Sequence, residues 1–153
     1  INLFTIAVSI FLKILFNLAQ AYEAEFSIIT KKNPDSNGVY LLDTNIDTEH
    51  LGYLFYDNST PIGFCIKGIS DGRHDIAEFY IIPTYRNNNL GEKMAIEIFR
   101  KFPGPWQVRQ ISGADKAKAF WRKTIKRFTN NNFIESQIPD KHWGQVTCQR
   151  FEF

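Results

Sequence analysis

The spacing of apolar and polar residues predicts the elements of the first half of the chain. Residues 1–8 are apolar and partly β-branched, which predicts a strand. Apolar residues recur at spacings of three and four over residues 10–27, which predicts an amphipathic helix packed on a sheet. Residues 31–38 contain turn signals, and the mixed pattern of residues 39–49 predicts no regular element. An antiparallel meander is predicted from three strand-like runs: residues 51–56, 62–69 and 75–82.

The second half alternates helices and strands. An apolar face over residues 90–102 predicts a helix, which Pro103 and Gly104 end. Because this helix joins them, the strands 75–82 and 106–111 are predicted to run parallel. A second helix is predicted by an apolar face made of Ala117, Phe120, Trp121, Ile125 and Phe128. Residues 133–136 and 145–153 predict a closing pair of strands.

Composition narrows the class of protein. A chain of 153 residues with 44% hydrophobic and 22% charged residues predicts one folded domain over residues 1–153. The net charge of +2 argues against a nucleic-acid partner. Cys65 and Cys148 lie in apolar runs, which favours reduced, buried thiols and a cytoplasmic location. The histidines are scattered, so we expect no metal site.

The apolar start of the chain, residues 1–18, is compatible with a membrane or export segment. Lys13 interrupts it, polar residues dilute it, and no small-residue cleavage site follows. We interpret it as part of the core and expect no membrane association. An alternative remains that residues 1–26 mediate assembly or membrane contact in a structural protein.

The junction between residues 78 and 92 is the most informative stretch. A β-rich apolar run stops at Pro83, a polar turn follows, and helical spacing begins at Leu90. The first turn of a helix has backbone N–H groups without intrahelical partners and a partial positive charge. The junction therefore predicts a seat for a phosphate group.

Three linked motifs resemble those of the GCN5-related N-acetyltransferase (GNAT) superfamily, in particular its small bacterial branch. The motifs read Glu78-Phe-Tyr-Ile-Ile-Pro-Thr-Tyr-Arg86, Ile98-Phe-Arg-Lys-Phe-Pro-Gly-Pro-Trp-Gln-Val-Arg-Gln110 and Ala117-Lys-Ala-Phe-Trp121. The resemblance implies the α+β (three-layer α/β) GNAT fold. This fold has a mixed central sheet of about six to seven strands, in which a meander is followed by β-α-β with a splayed parallel pair, and helices on both faces.

The resemblance also implies that acetyl-CoA binds as co-substrate. Its pyrophosphate is expected on backbone amides of the turn, and its pantetheine arm beside the preceding strand. The implied cofactor-binding residues on the strand are Phe79, Ile81 and Ile82. Those on the turn and the helix start are Arg86, Asn87, Asn88, Asn89, Leu90, Gly91 and Glu92. Those on the second helix are Phe120, Trp121 and Lys123, and Phe120 and Trp121 have an alternative role in packing.

The sequence departs from the family pattern at five positions. Asn89 replaces a glycine, and asparagine tolerates the left-handed backbone better than other residues with a side chain. Asn87 and Asn88 replace common basic residues, which places less positive charge near the phosphates. Ala114 replaces a common asparagine, and Trp121 replaces the tyrosine that acts as acid in many members.

Catalysis of amine attack on a thioester requires a base for the amine and a proton for the departing thiolate. Glu78 is the candidate base, acting through water, because burial raises the pKa of a carboxylate toward neutrality. The alternative is an ion pair with a lysine or arginine, or a strand cap. Tyr80, Tyr85 and water are candidates for the acid.

The sequence therefore predicts an acetyl-CoA-dependent N-acetyltransferase that transfers the acetyl group directly to an amine in a ternary complex. The acceptor is a small-molecule or protein amine, and the protein is a monomer or a homodimer. The alternative is a catalytically weak or inactive acyl-CoA-binding or interaction module with the same fold.

Overall fold

The structure is a computed structural model and describes residues 2–5 and 9–153, with no side-chain detail for residues 3–5, 9 and 10. The elements in chain order are β1 (Asn2–Thr5), α1 (Ser9–Thr30), β2 (Leu51–Asp57), β3 (Thr60–Ser70), β4 (Arg73–Ile81), a 3₁₀ turn (Pro83–Tyr85), α2 (Leu90–Lys101), β5 (Pro105–Gln110), α3 (Asp115–Phe128), β6 (Ile134–Asp140) and β7 (Gly144–Glu152). The seven strands form a mixed sheet in the order β1-β2-β3-β4-β5-β7-β6. This α+β architecture confirms the predicted fold class.

The boundaries differ from the prediction at the two ends of the chain. The first strand, predicted over residues 1–8, is described over Asn2–Thr5, and residues 1 and 6–8 lie outside the described residues. β6 was predicted to end at Ser136 but continues to Asp140 through Pro139. Proline lacks an N–H donor and is tolerated in β6 because this strand lies at the edge of the sheet.

The chain divides into two compact units. Unit 1 comprises Ile1–Lys67 and Ala77–Arg86, and unit 2 comprises Gly68–Ile76 and Asn87–Phe153. β3 and β4 each contribute residues to both units.

In unit 1, antiparallel strands pack against α1. β1 pairs with β2, and β2 pairs with β3 through a hairpin whose last pair is Asp57 with Thr60. Leu15 and Ala19, one turn apart on α1, pack in a buried cluster with residues of the strands. The predicted amphipathic helix on a sheet is therefore confirmed.

In unit 2, β4 pairs with β5 in parallel through two residue pairs, His74 with Trp106 and Asp75 with Gln107. The predicted parallel orientation is confirmed. β7 pairs antiparallel with both β5 and β6. The aromatic core of this unit includes Phe99, whose ring lies 4.9 Å from that of Trp106 and 5.0 Å from that of Phe151.

Cys65 and Cys148 are both buried and free, as predicted. Among the helices of the described residues, none combines the length and the apolar character needed to cross a bilayer. Within the same residues, no cluster of three or more His, Cys, Asp or Glu side chains is arranged to hold a metal ion.

Candidate active site

Glu78 lies in the part of β4 that belongs to unit 1, and its half-buried carboxylate accepts two hydrogen bonds from hydroxyl groups. The hydroxyl of Tyr22, on α1, donates to Oε2 at 2.6 Å. The hydroxyl of Thr44, in the segment between α1 and β2, donates to Oε1 at 3.0 Å. Both carboxylate oxygens are therefore held by neutral donors, and the predicted alternative of an ion pair with a lysine or arginine does not describe Glu78.

The surroundings of Glu78 raise its pKa from 4.5 to about 7. Burial is the largest cause, because it disfavours the charged carboxylate. The negative charges of Glu23 and Asp43 act in the same direction, whereas the hydrogen bonds from Tyr22 and Thr44 lower the pKa. A carboxyl group with a pKa near 7 can both take up and release a proton at neutral pH.

A small pocket opens beside the Glu78 carboxylate. It has about 10 Å³ of space for the centre of a water molecule, which is near the minimum for one water. Residues of α1, the segment before β2, β3 and β4 line it: Ala19, Tyr22, Glu23, Leu42, Thr44, Phe64, Ile66 and Glu78. The pocket therefore offers room for a single water molecule against a carboxylate.

Residues 31–50, whose pattern predicted no element, form an irregular segment that is anchored to α1. Gln20 holds the backbone of Tyr40 through two hydrogen bonds, of 2.9 and 2.8 Å. Lys32 Nζ pairs with Glu23 at 3.0 Å and with Asp43 at 2.9 Å. These contacts fix the segment that carries Leu42 and Thr44 into the pocket.

Sequence reasoning missed Tyr22 and Thr44. Tyr22 falls on the apolar stripe of α1, where a buried aromatic residue is expected to serve packing only. Thr44 lies in a segment without a pattern, and its contact with Glu78 spans 34 residues of sequence. The only available signal was the polar hydroxyl of a tyrosine on a buried helix face, since such a group needs a partner.

The three residues predicted to bind pantetheine, Phe79 and Ile81 in β4 and Ile82 just after it, differ in the direction of their backbone groups. The N–H of Ile82 donates to the carbonyl of Ile62 at 2.9 Å, and the carbonyl of Tyr80 points toward Gly63 of β3. Successive carbonyls of a strand point to opposite sides, so those of Phe79 and Ile81 point away from β3. The Ile81 carbonyl accepts a 2.8 Å hydrogen bond from Arg86 Nε.

The two candidate acids lie in different surroundings of unit 1. Tyr80 is 5% exposed, and burial raises the pKa of its hydroxyl. Tyr85 ends the 3₁₀ turn, and its hydroxyl donates to Asp57 at 2.9 Å, which raises its pKa. Both hydroxyls therefore stay protonated at neutral pH.

Arg86 turns back onto unit 1. Its guanidinium forms two parallel hydrogen bonds with the carboxylate of Glu25, at 2.8 and 2.9 Å, and lies 5.4 Å from the centre of the Tyr80 ring. Such a two-point pair fixes both side chains. The charge of Arg86 is therefore already compensated by the protein.

The turn before α2 has the backbone conformation that the sequence predicted. Asn87 and Asn89 have positive φ values of 66° and 62°, in the left-handed region. Asn89 occupies the position of the family glycine and stands at the N-cap of α2. The N–H of Leu90 donates to the side chain of Asn88 at 3.2 Å. The turn thus leads the chain into α2 without a glycine at residue 89.

The remaining predicted cofactor residues lie in unit 2. Gly91 and Glu92 are in the first turn of α2, and Glu92 pairs with Arg127 at 3.0 Å. Trp121 is 6% exposed, and its ring lies 4.9 Å from that of Phe120 and 6.3 Å from that of Phe99. These contacts support the packing role for the two aromatic residues, whereas Lys123 is exposed on α3.

Comparisons with known proteins give matches in structure only. A scan against protein-family models finds no match, and a search of the curated proteins finds none. The chain is similar to the crystal structure of Escherichia coli ElaA, with a TM-score of 0.67 and 11% identity over 99% of this chain and 100% of that one.

Two further similar structures contain coenzyme A or acetyl-CoA. The chain is similar to the PaiA N-acetyltransferase of Thermoplasma acidophilum in complex with coenzyme A, with a TM-score of 0.61 and 14% identity over 99% of this chain and 100% of that one. It is also similar to a GNAT-family acetyltransferase of Elizabethkingia anophelis with acetyl-CoA bound, with a TM-score of 0.53 and 12% identity over 74% of this chain and 95% of that one. The chain therefore has the fold of the GCN5-related N-acetyltransferases.

Proposed function

We propose that this protein is an acetyl-CoA-dependent N-acetyltransferase that transfers the acetyl group directly to an amine within a ternary complex. The observation that carries the proposal is the Glu78 carboxylate, which has a pKa of about 7 and lies beside a pocket with room for one water molecule. The fold supports it, since two proteins of similar structure were crystallised with coenzyme A or acetyl-CoA.

In the proposed reaction Glu78 acts as general base. It takes a proton from the amine through a water molecule, the amine nitrogen forms a bond to the acetyl carbon, and the carbon–sulfur bond breaks. The departing thiolate takes a proton from Tyr80, Tyr85 or water. A base with a pKa near the working pH suits this role.

The proposed contacts of acetyl-CoA are with backbone groups. The pyrophosphate is assigned to N–H groups of the turn Asn87–Gly91 and of the start of α2, where the helix dipole favours an anion. The pantetheine arm is assigned to the backbone of Phe79 and Ile81, which faces away from β3. At Ile81 the N–H is the candidate group, because the carbonyl already accepts a hydrogen bond from Arg86. Ile82 is a weaker candidate because its N–H is already bonded to Ile62.

Calorimetry and a thiol-release assay over a broad panel of amines test the proposal. We expect acetyl-CoA and coenzyme A to bind at millimolar concentration or below, and Glu78→Gln to lower turnover about 100-fold while binding is retained. The exposed glutamate of α2 provides the matched control, Glu97→Gln, which should keep full activity. If neither ligand binds at millimolar concentration, the proposal is wrong.

The pairing of Arg86 with Glu25 favours a second candidate, an acyl-CoA-binding module without efficient catalysis. A guanidinium committed to Glu25 adds little positive charge near a phosphate, and the turn itself carries three asparagines. This candidate predicts that coenzyme A binds but that no amine is turned over. Glu78→Gln would then behave as the wild type in both assays.

A further inference from the structure

The hydroxyl groups of Tyr22 and Thr44 each contact the side chain proposed as the base. A carboxylate on a strand rotates about its side-chain bonds unless other groups hold it. The Tyr22 hydroxyl at 2.6 Å holds Oε2, and the Thr44 hydroxyl at 3.0 Å holds Oε1. Because each oxygen has its own donor, the plane of the carboxylate is fixed.

Aromatic neighbours fix the position of Tyr22. Its ring stacks on that of Phe26 at 5.5 Å, meets the edge of Phe64 at 5.7 Å and lies 5.8 Å from Tyr80. A ring packed on three sides keeps its hydroxyl in one place. Tyr22 therefore presents a preorganised donor to Glu78.

The anchored segment fixes the position of Thr44. Lys32 contacts Asp43, which directly precedes Thr44, and the buried Glu23 of α1. Gln20 holds the backbone of Tyr40 in the same segment. The segment without regular structure thus places one hydroxyl against the carboxylate from outside the sheet.

We propose that Tyr22 and Thr44 are positioning residues that hold the carboxylate of Glu78 in its catalytic orientation. This inference rests on the proposed function. Neither residue needs to contact the substrate, since each acts through Glu78. Their hydrogen bonds also favour the charged carboxylate, which is the form that accepts a proton.

The charged and titratable groups around Glu78 act alongside these two donors. Glu23 and Asp43 raise its pKa, and Lys32 forms an ion pair with both of them. Cys65, on β3, is fully buried, and burial raises the pKa of its thiol so that it remains neutral. Because none of these groups donates a hydrogen bond to Glu78, removal of Tyr22 or Thr44 leaves no replacement donor among them.

Titration of Glu78 by ¹³C NMR, in protein with labelled glutamate, tests the inference without any need for activity. The signal is assigned by its loss in Glu78→Gln. In Tyr22→Phe we expect the pKa of Glu78 to rise by about one, because a donor to the charged form is lost. The rise should be smaller in Thr44→Val, because the hydrogen bond from Thr44 is longer than the one from Tyr22. It should be absent in Thr44→Ser, which keeps a hydroxyl group. Thr48→Val, at an exposed threonine of the same segment, is the matched control and should change nothing.

The pH profile of kcat/KM tests the catalytic part. The acidic limb should move to higher pH in Tyr22→Phe and Thr44→Val, and the plateau at pH 9 should stay below that of the wild type because the charged carboxylate is no longer held in place. Thr44→Ser should equal the wild type. An unchanged titration of Glu78 in both variants overturns the positioning role, and if Tyr22→Phe does not fold, Thr44→Val decides. A changed titration with an unmoved acidic limb would instead show that Glu78 is not the base, and would overturn the proposed mechanism.

Discussion

Glu78 and Asp75 lie three residues apart on β4, in unit 1 and unit 2 respectively, and their carboxylates have partners of different kinds. The two partners of Glu78 are neutral hydroxyl groups. Asp75 is 2% exposed and forms an ion pair with Arg109, which also contacts Asp140 at 3.3 Å. One carboxylate is thus oriented without an opposite charge, and the other is compensated by a cation.

The two carboxylates differ in what opposes the effect of burial on their pKa. Burial raises the pKa of both groups, and the pKa of Asp75 stays raised although the positive charge of Arg109 opposes the rise. Hydroxyl donors lower the pKa of Glu78 too little to offset burial, and it remains about 7. The carboxylate of Asp75 is bound to a cation, whereas that of Glu78 is held by neutral donors beside a pocket for water, which suits proton transfer.

Removal of Arg109, the cation that pairs with Asp75, should have the largest effect on stability. In Arg109→Met the buried carboxylate of Asp75 loses its compensating charge, and we expect the free energy of unfolding at pH 7 to fall by about 3 kcal/mol. The loss should shrink in acid, because protonated Asp75 needs no cation. Urea denaturation across pH measures both effects.

The double variant Asp75→Asn/Arg109→Met provides the control for that experiment. Removal of both charges should restore most of the lost stability, since the side chain buried at residue 75 is then neutral. Asp140 also loses Arg109 but keeps hydrogen bonds from the backbone of His142 and Trp143. If the single variant were as stable as the wild type at pH 7, the contrast between the two carboxylates would have no basis.

Substitution of Glu78 should increase stability at neutral pH, whereas Arg109→Met decreases it. Its pKa is about 7 in the folded state against 4.5 in the unfolded state, so between these pH values the folded protein holds a proton that the unfolded chain has released. Stability contributed by this group is therefore present below pH 4.5 and lost as the pH rises to 7. The difference between the two pKa values corresponds to about 3 kcal/mol, and solvent at the half-buried carboxylate reduces it. Since Glu78→Gln remains neutral, its stability relative to the wild type should increase by about 2 kcal/mol between pH 4 and pH 8.

Thermal and urea unfolding at the two pH values measure this difference, with Glu97→Gln as the control at an exposed glutamate. The control should show no such pH-dependent gain. If Glu78→Gln were destabilised equally at both pH values, its carboxylate would be a structural group like Asp75.

The sequence predicted the helices and strands, and of the two carboxylates on β4 it identified Glu78. Hydrophobic periodicity located the helices. Glu78 could be predicted as a site residue because it is the first residue of the contiguous motif Glu78–Arg86. Asn89 could be expected in the left-handed region because asparagine tolerates it, and its φ is 62°. Each of these features depends on residues close together in sequence.

The partners of the two carboxylates could not be predicted because they are distant in sequence. Tyr22 lies 56 residues from Glu78, and Arg109 lies 34 residues from Asp75. No periodic pattern encodes such a pairing, and the segment that carries Thr44 has no regular structure. The bond of Arg86 to Glu25, across 61 residues, was missed for the same reason.

The smallest expected effect on stability concerns Glu23. Its carboxylate lines the same pocket as Glu78 but, unlike Glu78, pairs with a cation. Its side chain is 5% exposed and pairs with Lys32, whose side chain is 22% exposed. In Lys32→Met we expect a loss of about 1 kcal/mol at pH 7, less than for Arg109→Met because Glu23 lines a pocket with room for a water molecule that can solvate its carboxylate. Lys31→Met, at the exposed neighbouring lysine, is the control for urea denaturation and should be neutral. A loss in Lys32→Met that persists at pH 3 would assign the effect to packing of the lysine side chain, because a protonated Glu23 no longer needs the cation.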